Sequence, residues 1–260
     1  MTTKLELPTA TVAEQDGLRT LHLGDTPWVQ GAMLVRQPRV IVLDYVQRMM
    51  AWMLWRDSAD MTAGHAVQLG LGAGSITRFC HQVLQMDRVT AVELNPAVIA
   101  ACRQAFRLPA DGARLSVLQA DAAQWVGDAA HLQTAQVLNV DLYDHEAAAP
   151  VLDSQAFYAA CREVLSHGGL MSVNLFGRAA SFEHSAARIA AAFGRDQVWC
   201  LRPTREGNSV VVAARGVAVP GREVLAARAA TIERLYGLPA RKWLRMVRPL
   251  PEFLQPGARP

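Results

Sequence analysis

The sequence predicts an α/β protein: a doubly wound, mainly parallel sheet with an antiparallel edge strand, preceded by a small N-terminal β lobe. Three observations predict it. From His65 onward, short strand-type runs alternate with helical stretches, a rhythm that makes βαβ units and a parallel sheet covered on both faces. The first of these runs ends in alternate glycines, Gly70, Gly72 and Gly74. The last two runs, QVWCLRP and SVVVAAR, are joined only by TREGN, too short a link for anything but an antiparallel pair.

The elements follow in order. RTLHLG (Arg19 to Gly24) and GAMLVRQ (Gly31 to Gln37) are β-type runs separated by a turn-rich link, which predicts a hairpin lobe. VLDYVQRMMAWMLW, Val42 to Trp55, has the length and apolar density of a buried helix. The alternating part then reads AVQLG, a helix from Ser75, RVTAVEL, a helix opening at Asn95-Pro96, RLSVLQ, a short helix near Asp121, QVLNVDL, a helix from Ser154, and LMSVNLF. Asn95 is a natural N-cap, and Pro96 at the first helical position loses no needed hydrogen bond. A helix through Ala186 to Phe193 precedes the antiparallel pair, expected at the sheet edge; REVLAARAATIERLYG, stopped by Gly237, follows it. The organisation expected is residues 1–60 as lobe and connecting helix, 61–216 as a nucleoside-binding domain, and 217–260 as a helical tail.

Composition narrows the function classes. The chain has 260 residues and a formal charge of only +3, with its arginines scattered, so no nucleic-acid partner is expected. The densest basic cluster, RKWLRMVR (Arg241 to Arg248), fits one face of a helix. Cys80, Cys102, Cys161 and Cys200 stand far apart in apolar contexts and read as buried thiols of a reducing compartment. No leader-type segment or membrane-length apolar run is apparent, so a soluble cytoplasmic protein is expected. His22, His65, His81, His131, His167 and His184 show no ligand spacing with cysteine or acid, and no metal is expected.

The chemistry lies at the strand ends. Glycines after a first strand let backbone amides approach a ligand, and the helix start that follows favours negative charge. A dinucleotide site wants G-x-G-x-x-G, and the third glycine is not in that register here. Glu93, at the end of the second strand, can take both hydroxyls of a ribose, or cap the next helix. Asp121, with Ala122 beside it, follows the third strand and can accept from an exocyclic amine or serve as N-cap. Asp141 and Asp144 stand after the fourth strand, on the sheet edge where ligands of open α/β folds sit.

Together, Gly70, Gly72 and Gly74 with Glu93 and Asp121 resemble the S-adenosylmethionine-type site of the class I methyltransferase superfamily, a Rossmann-like fold, over roughly residues 60 to 215. DLYDH after the fourth strand, SQAFY at Ser154 to Tyr158, HGGLMSVN, and the N-terminal hairpin lobe resemble a narrower family, the polyamine aminopropyltransferases (spermidine and spermine synthases). The resemblance implies transfer of an aminopropyl group from decarboxylated S-adenosylmethionine to a small-molecule amine, with release of methylthioadenosine, in a homodimer. It makes Asp141 the acid that orients the attacking amine and helps take its proton. Asp144 then lies near the adenine or secures the loop, and Gln47 is matched to a donor-binding motif, Y-(H/Q)-E-M.

The chain also departs from that pattern. Ala73 replaces the aspartate of the family's G-G-G-D-G-G loop, Val46 and Arg48 replace the tyrosine and glutamate flanking Gln47, and His145 replaces the proline of D-x-x-D-P. Tyr45 would need a one-residue register shift to stand in for the tyrosine. Two other functions fit the same nucleoside set: a small-molecule methyltransferase using S-adenosylmethionine itself, and a non-catalytic nucleoside-binding protein.

Overall fold

A computed structural model describes residues 7–142, 152–176 and 179–250. Asp144, Tyr143, His145 and Glu146 lie outside the described residues. The chain opens with a three-stranded antiparallel sheet, β1 (Ala10–Gln15), β2 (Leu18–Leu23) and β3 (Gly31–Leu34). β1 goes beyond the two runs read from the sequence. Its signal was Asp16-Gly17, both with positive φ, the pair that a tight hairpin turn requires.

The expected buried helix is α1 (Asp44–Met49), which tightens into a 3-10 helix over Met50–Trp55, all six residues of which are buried. The main sheet is built from β4 (His65–Leu69), β5 (Arg88–Glu93), β6 (Leu115–Gln119), β7 (Ala135–Val140), β8 (Leu165–Phe176), β9 (Val198–Leu201), β10 (Asn208–Ala214) and β11 (Val247–Pro249). Its order is β11-β9-β10-β8-β7-β4-β5-β6, with β4 to β8 parallel and the rest antiparallel. The helices between are α2 (Ser75–Arg78, continued by a wide turn to Val83), α3 (Pro96–Ala105), α4 (Ala122–Gly127), α5 (Gln155–Val164) and α6 (Ala179–Phe193), followed after β10 by α7 (Arg222–Tyr236) and α8 (Ala240–Met246).

One expectation needs correcting. The β9–β10 pair is antiparallel but is not the sheet edge, because the segment after α8 pairs Val247 to Pro249 with β9. The basic cluster therefore splits into a helix and a strand. β-branched Val247 suits a strand, and Pro249, with no N–H to offer, is tolerated on an edge.

Two apolar layers hold the sheet. Side chains of one parity, among them Ala66, Val137, Leu170 and Val212, pack under α1, the 3-10 helix, α7 and α8, with Trp52 and Trp243 fully buried. The other parity, including Val67, Leu138, Met171 and Val211, packs under α4, α5 and α6. A third cluster joins lobe and sheet: Leu21 and Met33 meet Leu71, Ala73 and Phe106. Each buried side chain of this size contributes about 1.5–3 kcal/mol, so the lobe is seated firmly on the glycine turn.

Candidate active site

Strand order reverses around β4, which lies between β5 and β7, and the crevice of an open α/β sheet opens at such a reversal, beyond the carboxyl ends of the strands. Gly70 follows β4 and Asp141 follows β7 at this point, and the Asp141 N–H donates to Leu69 O at 3.0 Å. Gly70, Gly72 and Gly74 all have positive φ. At Gly70 a side chain would strike the carbonyl oxygen of Asp141, and at Gly72 a Cβ would sit 2.9 Å from Gln30 O, so the turn is pressed between the sheet and the lobe.

A cleft of about 260 Å³, counted with the solvent at its mouth, lies along this turn. The glycine turn from Leu71 to Ala73 forms one wall, Gln30 and Gly31 of the lobe another, Tyr45 and Val46 of α1 the roof, and Gln68 and Asp141 the floor. Trp28, half exposed, meets Phe176 edge to face with ring centroids 6.2 Å apart, an aromatic bridge from the lobe to the end of β8. The other five tryptophans are buried.

Asp141 is the chemical centre of the cleft. Its Oδ1 accepts from Asn174 Nδ2 at 2.8 Å, and the Tyr45 side chain also hydrogen-bonds it. Burial pushes its carboxyl above the usual aspartate range, and the two side-chain bonds pull partly back. Asn174 Oδ1 in turn accepts from Asn208 Nδ2 at 3.2 Å, so the acid is oriented by a chain of amides across β8 and β10. Tyr45 was legible as a candidate needing a register shift, and no shift of the chain is needed: α1 turns Tyr45 and Val46 alike onto the cleft.

Glu93 ties the ends of β4 and β5 together. Its Oε2 accepts from Leu71 N at 2.9 Å and its Oε1 from Asn95 N at 2.8 Å. Burial raises its carboxyl and the amide bonds lower it. Asp121 caps α4, its Oδ1 accepting from Gln124 N at 2.9 Å, and Ala122 is buried at the first position of that helix. The two acids thus stand at neighbouring strand ends, Glu93 against the glycine turn and Asp121 one strand further out, while none of Glu93, Asp121 and Ala122 lines the cleft itself.

Gln47 is turned away. Its Nε2 donates to Ile41 O at 2.7 Å, and it does not line the cleft that its neighbours Tyr45 and Val46 roof. Arg48 is buried and committed elsewhere, with Nη1 donating to Arg202 O at 2.5 Å and Nη2 paired with Asp44 at 2.6 Å. Ala73 is also accounted for: it is 2% exposed, and a Cβ on Gly31 would lie 2.5 Å from its own. The lobe backbone at Gly31 therefore packs directly against Ala73, which leaves no room for a side chain at position 31.

SQAFY serves the scaffold. Ser154 caps α5, and the fully buried Tyr158 donates its hydroxyl to Asp153 at 2.9 Å, which also takes Ser185 at 2.9 Å and pairs with Arg188. All four cysteines are buried and free. Among the described residues no three His, Cys, Asp or Glu side chains gather into a metal-binding group, and no helix is long and apolar enough to cross a membrane.

An open α/β fold of the class I methyltransferase type, with a β lobe closing on its glycine turn, is the class that this geometry defines. Residues 46–197 match the spermine/spermidine synthase domain. The chain is 32% identical over 210 residues to a polyamine aminopropyltransferase of Neisseria meningitidis serogroup A, covering 81% of this chain and 77% of that one. It is 30% identical over 233 residues to one of Chromobacterium violaceum, covering 89% and 86%. A probable spermidine synthase from Corynebacterium glutamicum superposes with a TM-score of 0.69 at 18% identity, over 88% of this chain and 85% of that one. The protein belongs to the spermine/spermidine synthase family.

Proposed function

We propose that the protein is a transferase that moves the aminopropyl group of decarboxylated S-adenosylmethionine to a small amine and releases methylthioadenosine. The observation that carries this reading is Asp141 on the cleft floor, held by Asn174 and Tyr45 directly against the glycine turn. In the proposed reaction the amine nitrogen attacks the aminopropyl carbon next to the sulfonium. The C–N bond forms as the C–S bond breaks, and sulfur leaves with the bonding pair as a neutral thioether. The nitrogen then carries an extra proton.

Asp141 is proposed to hold the amine in line and accept a proton from it. Its raised carboxyl is suited to this, since a base works best with a pKa nearer the operating pH than an exposed aspartate offers. Holding donor and amine in a near-attack pair removes much of the entropic cost of a bimolecular step.

For the donor we propose the ribose on Glu93, the adenine beside Asp121 and Ala122, and the sulfonium tail along Gly70, Gly72 and Gly74. Gln47 is proposed to act from behind, fixing the entry of α1 through Ile41 so that Tyr45 faces Asp141. Asp144 is proposed as a second acid near the adenine. The working form is proposed to be a metal-free cytoplasmic homodimer.

Calorimetric titration with S-adenosylmethionine, its decarboxylated form and methylthioadenosine tests the reading, followed by an amine screen for methylthioadenosine release. Preference for the decarboxylated donor is expected. Preference for the carboxylated donor, with methyl transfer, would refute it.

A further inference from the structure

Beneath Asp141 the sheet carries a row of polar side chains in which Gln68 Nε2 donates to Gly70 O at 2.7 Å and the remaining polar atoms have no protein partner among the described residues. Gln68 on β4, Asn139 on β7 and Ser172 on β8 are register neighbours on adjacent strands, so they stand side by side on one sheet face. That face is the one carrying Asp141 and Asn174, two residues further along their strands. Asn139 and Ser172 are fully buried and Gln68 is 4% exposed. Gln68 Oε1, both side-chain polar atoms of Asn139, and Ser172 Oγ all lack a hydrogen-bond partner.

Such groups cost roughly 1–3 kcal/mol each when buried unpaired, and buried polar atoms are otherwise almost always paired. Other unpaired polar atoms in this protein, such as the indole N–H groups of Trp52 and Trp243, are not strung along three adjacent strands. The row joins the cleft through Gln68, which lines it beside Asp141.

We propose that this row is the far subsite for the acceptor, and that the acceptor is an amine whose other end carries a neutral hydrogen-bonding group, a hydroxyl or a carboxamide. The proposal rests on the aminopropyl-transfer reading of the same cleft. Two residues along a strand span roughly 6.5 Å, so an amine at Asp141 reaches the row through a chain of about four carbons. The row supplies acceptors at Gln68 Oε1 and Asn139 Oδ1, a donor at Asn139 Nδ2 and a hydroxyl at Ser172. A hydroxyl donates to one of these acceptors and accepts from Asn139 Nδ2 or Ser172, and a carboxamide with its two N–H groups can serve both acceptors.

A second ammonium does not, because the row holds no carboxylate and an uncompensated buried charge is far costlier than a buried hydroxyl. The departure at Ala73 points the same way: position 73, packed against Gly31, leaves no acid there to meet a diamine. In the unliganded protein Asn139 and Ser172 are closed from solvent, and Gln68 is the member of the row that reaches the cleft.

The test is calorimetric titration of 4-amino-1-butanol, 1,4-diaminobutane and 1-aminobutane into the full chain saturated with methylthioadenosine, in wild type, N139L and S172A. The amino alcohol is expected to bind about tenfold tighter than either competitor, one good hydrogen bond's worth. N139L is expected to lose that tenfold for the amino alcohol alone, keep its affinity for methylthioadenosine, and melt no lower than wild type, since an apolar side chain replaces an unpaired amide.

Should N139L fail to fold, S172A decides by the same comparison. A wild type that ranks the diamine first, or variants that keep the wild-type ranking, would overturn the proposal and leave the row to internal water. Failure to bind methylthioadenosine at all would instead overturn the aminopropyl-transfer reading, and this one with it.

Discussion

Replacing Tyr45 by phenylalanine removes one oxygen from the roof of the cleft and one hydrogen bond from Asp141, with little change in shape or burial. A hydrogen bond to a charged group is worth about 1.5–3 kcal/mol, and one pKa unit corresponds to about 1.36 kcal/mol. The carboxyl of Asp141, already raised by burial, is therefore expected to rise by a further ~1–2 units, since the lost donor had favoured the ionised form. The proposed reaction needs the ionised form, so rate is lost as pH falls through this pKa. The acid limb of the kcat/KM profile moves upward by the same ~1–2 units, while the high-pH plateau is kept. The acceptor's own ammonium ionisation is common to both proteins and cancels in the comparison. Asn174→Ala, which removes the 2.8 Å bond, moves the limb in the same direction. A limb that stays in place in both variants, or a rate lowered equally at every pH, would refute the role given to Asp141.

Other expectations follow from the same contacts. Ala73→Asp, which restores the family residue, is expected to destabilise the protein by about 2 kcal/mol or more and to leave diamine affinity unimproved, because position 73 is 2% exposed and an acid would be buried unpaired; denaturant melts and calorimetry check both halves. Gly70→Ala is expected to abolish methylthioadenosine binding and lower the melting temperature, since its Cβ meets the Asp141 carbonyl at a positive φ. His65, packed against Thr90 and lowered to about 4 by burial, stays neutral in the fold between that value and its ordinary 6.5, whereas the unfolded chain takes up a proton there. Stability is thus lost as pH falls through this window, at no more than about 1.4 kcal/mol per pH unit from this group, and His65→Gln should flatten the dependence of melting temperature on pH. The thiols of Cys80 and Cys102, pushed up to about 12, should resist a thiol reagent at pH 8 until the protein is unfolded.

The alternation of strand and helix was readable because each parallel strand is a dense apolar run closed by a turn residue, and the glycine turn was readable because three positive-φ positions leave a mark in composition. What escaped was set by tertiary pairing. β11 is three residues long, and one β-branched residue, Val247, is too weak a local signal to mark it; pairing with the ladder of β9 makes it a strand. The polar row escaped for a related reason. Gln68, Asn139 and Ser172 each sit alone among apolar neighbours, and their adjacency exists only in the register of three strands separated by tens of residues. Gln47 matched a motif letter, yet the helix phase turned it to Ile41 and gave Tyr45 the cleft.

Glu93 and Asp121 each invited two readings, as a ligand-binding acid or as a helix cap and turn brace, and the geometry makes these compatible. A carboxylate has about four acceptor sites. Glu93 spends its sites on the N–H groups of Leu71, Asn95 and Leu94, which leaves acceptor capacity for a ribose hydroxyl. Asp121 spends Oδ1 on Gln124 N and keeps Oδ2 for a further donor. The brace also helps the proposed binding role, because an acid already fixed by backbone amides loses little rotamer freedom when a ligand arrives. Removing Glu93 should therefore cost twice, once in ribose contacts and once in the placement of Leu71. Glu93→Gln separates the two in part: its carbonyl oxygen can keep the Leu71 amide bond, while its NH2 gives up the Asn95 bond and cannot accept a hydroxyl proton. If Glu93→Gln melts near wild type yet binds methylthioadenosine at least about tenfold more weakly, the proposed ribose contact stands; if affinity falls only as far as stability does, Glu93 is a brace alone.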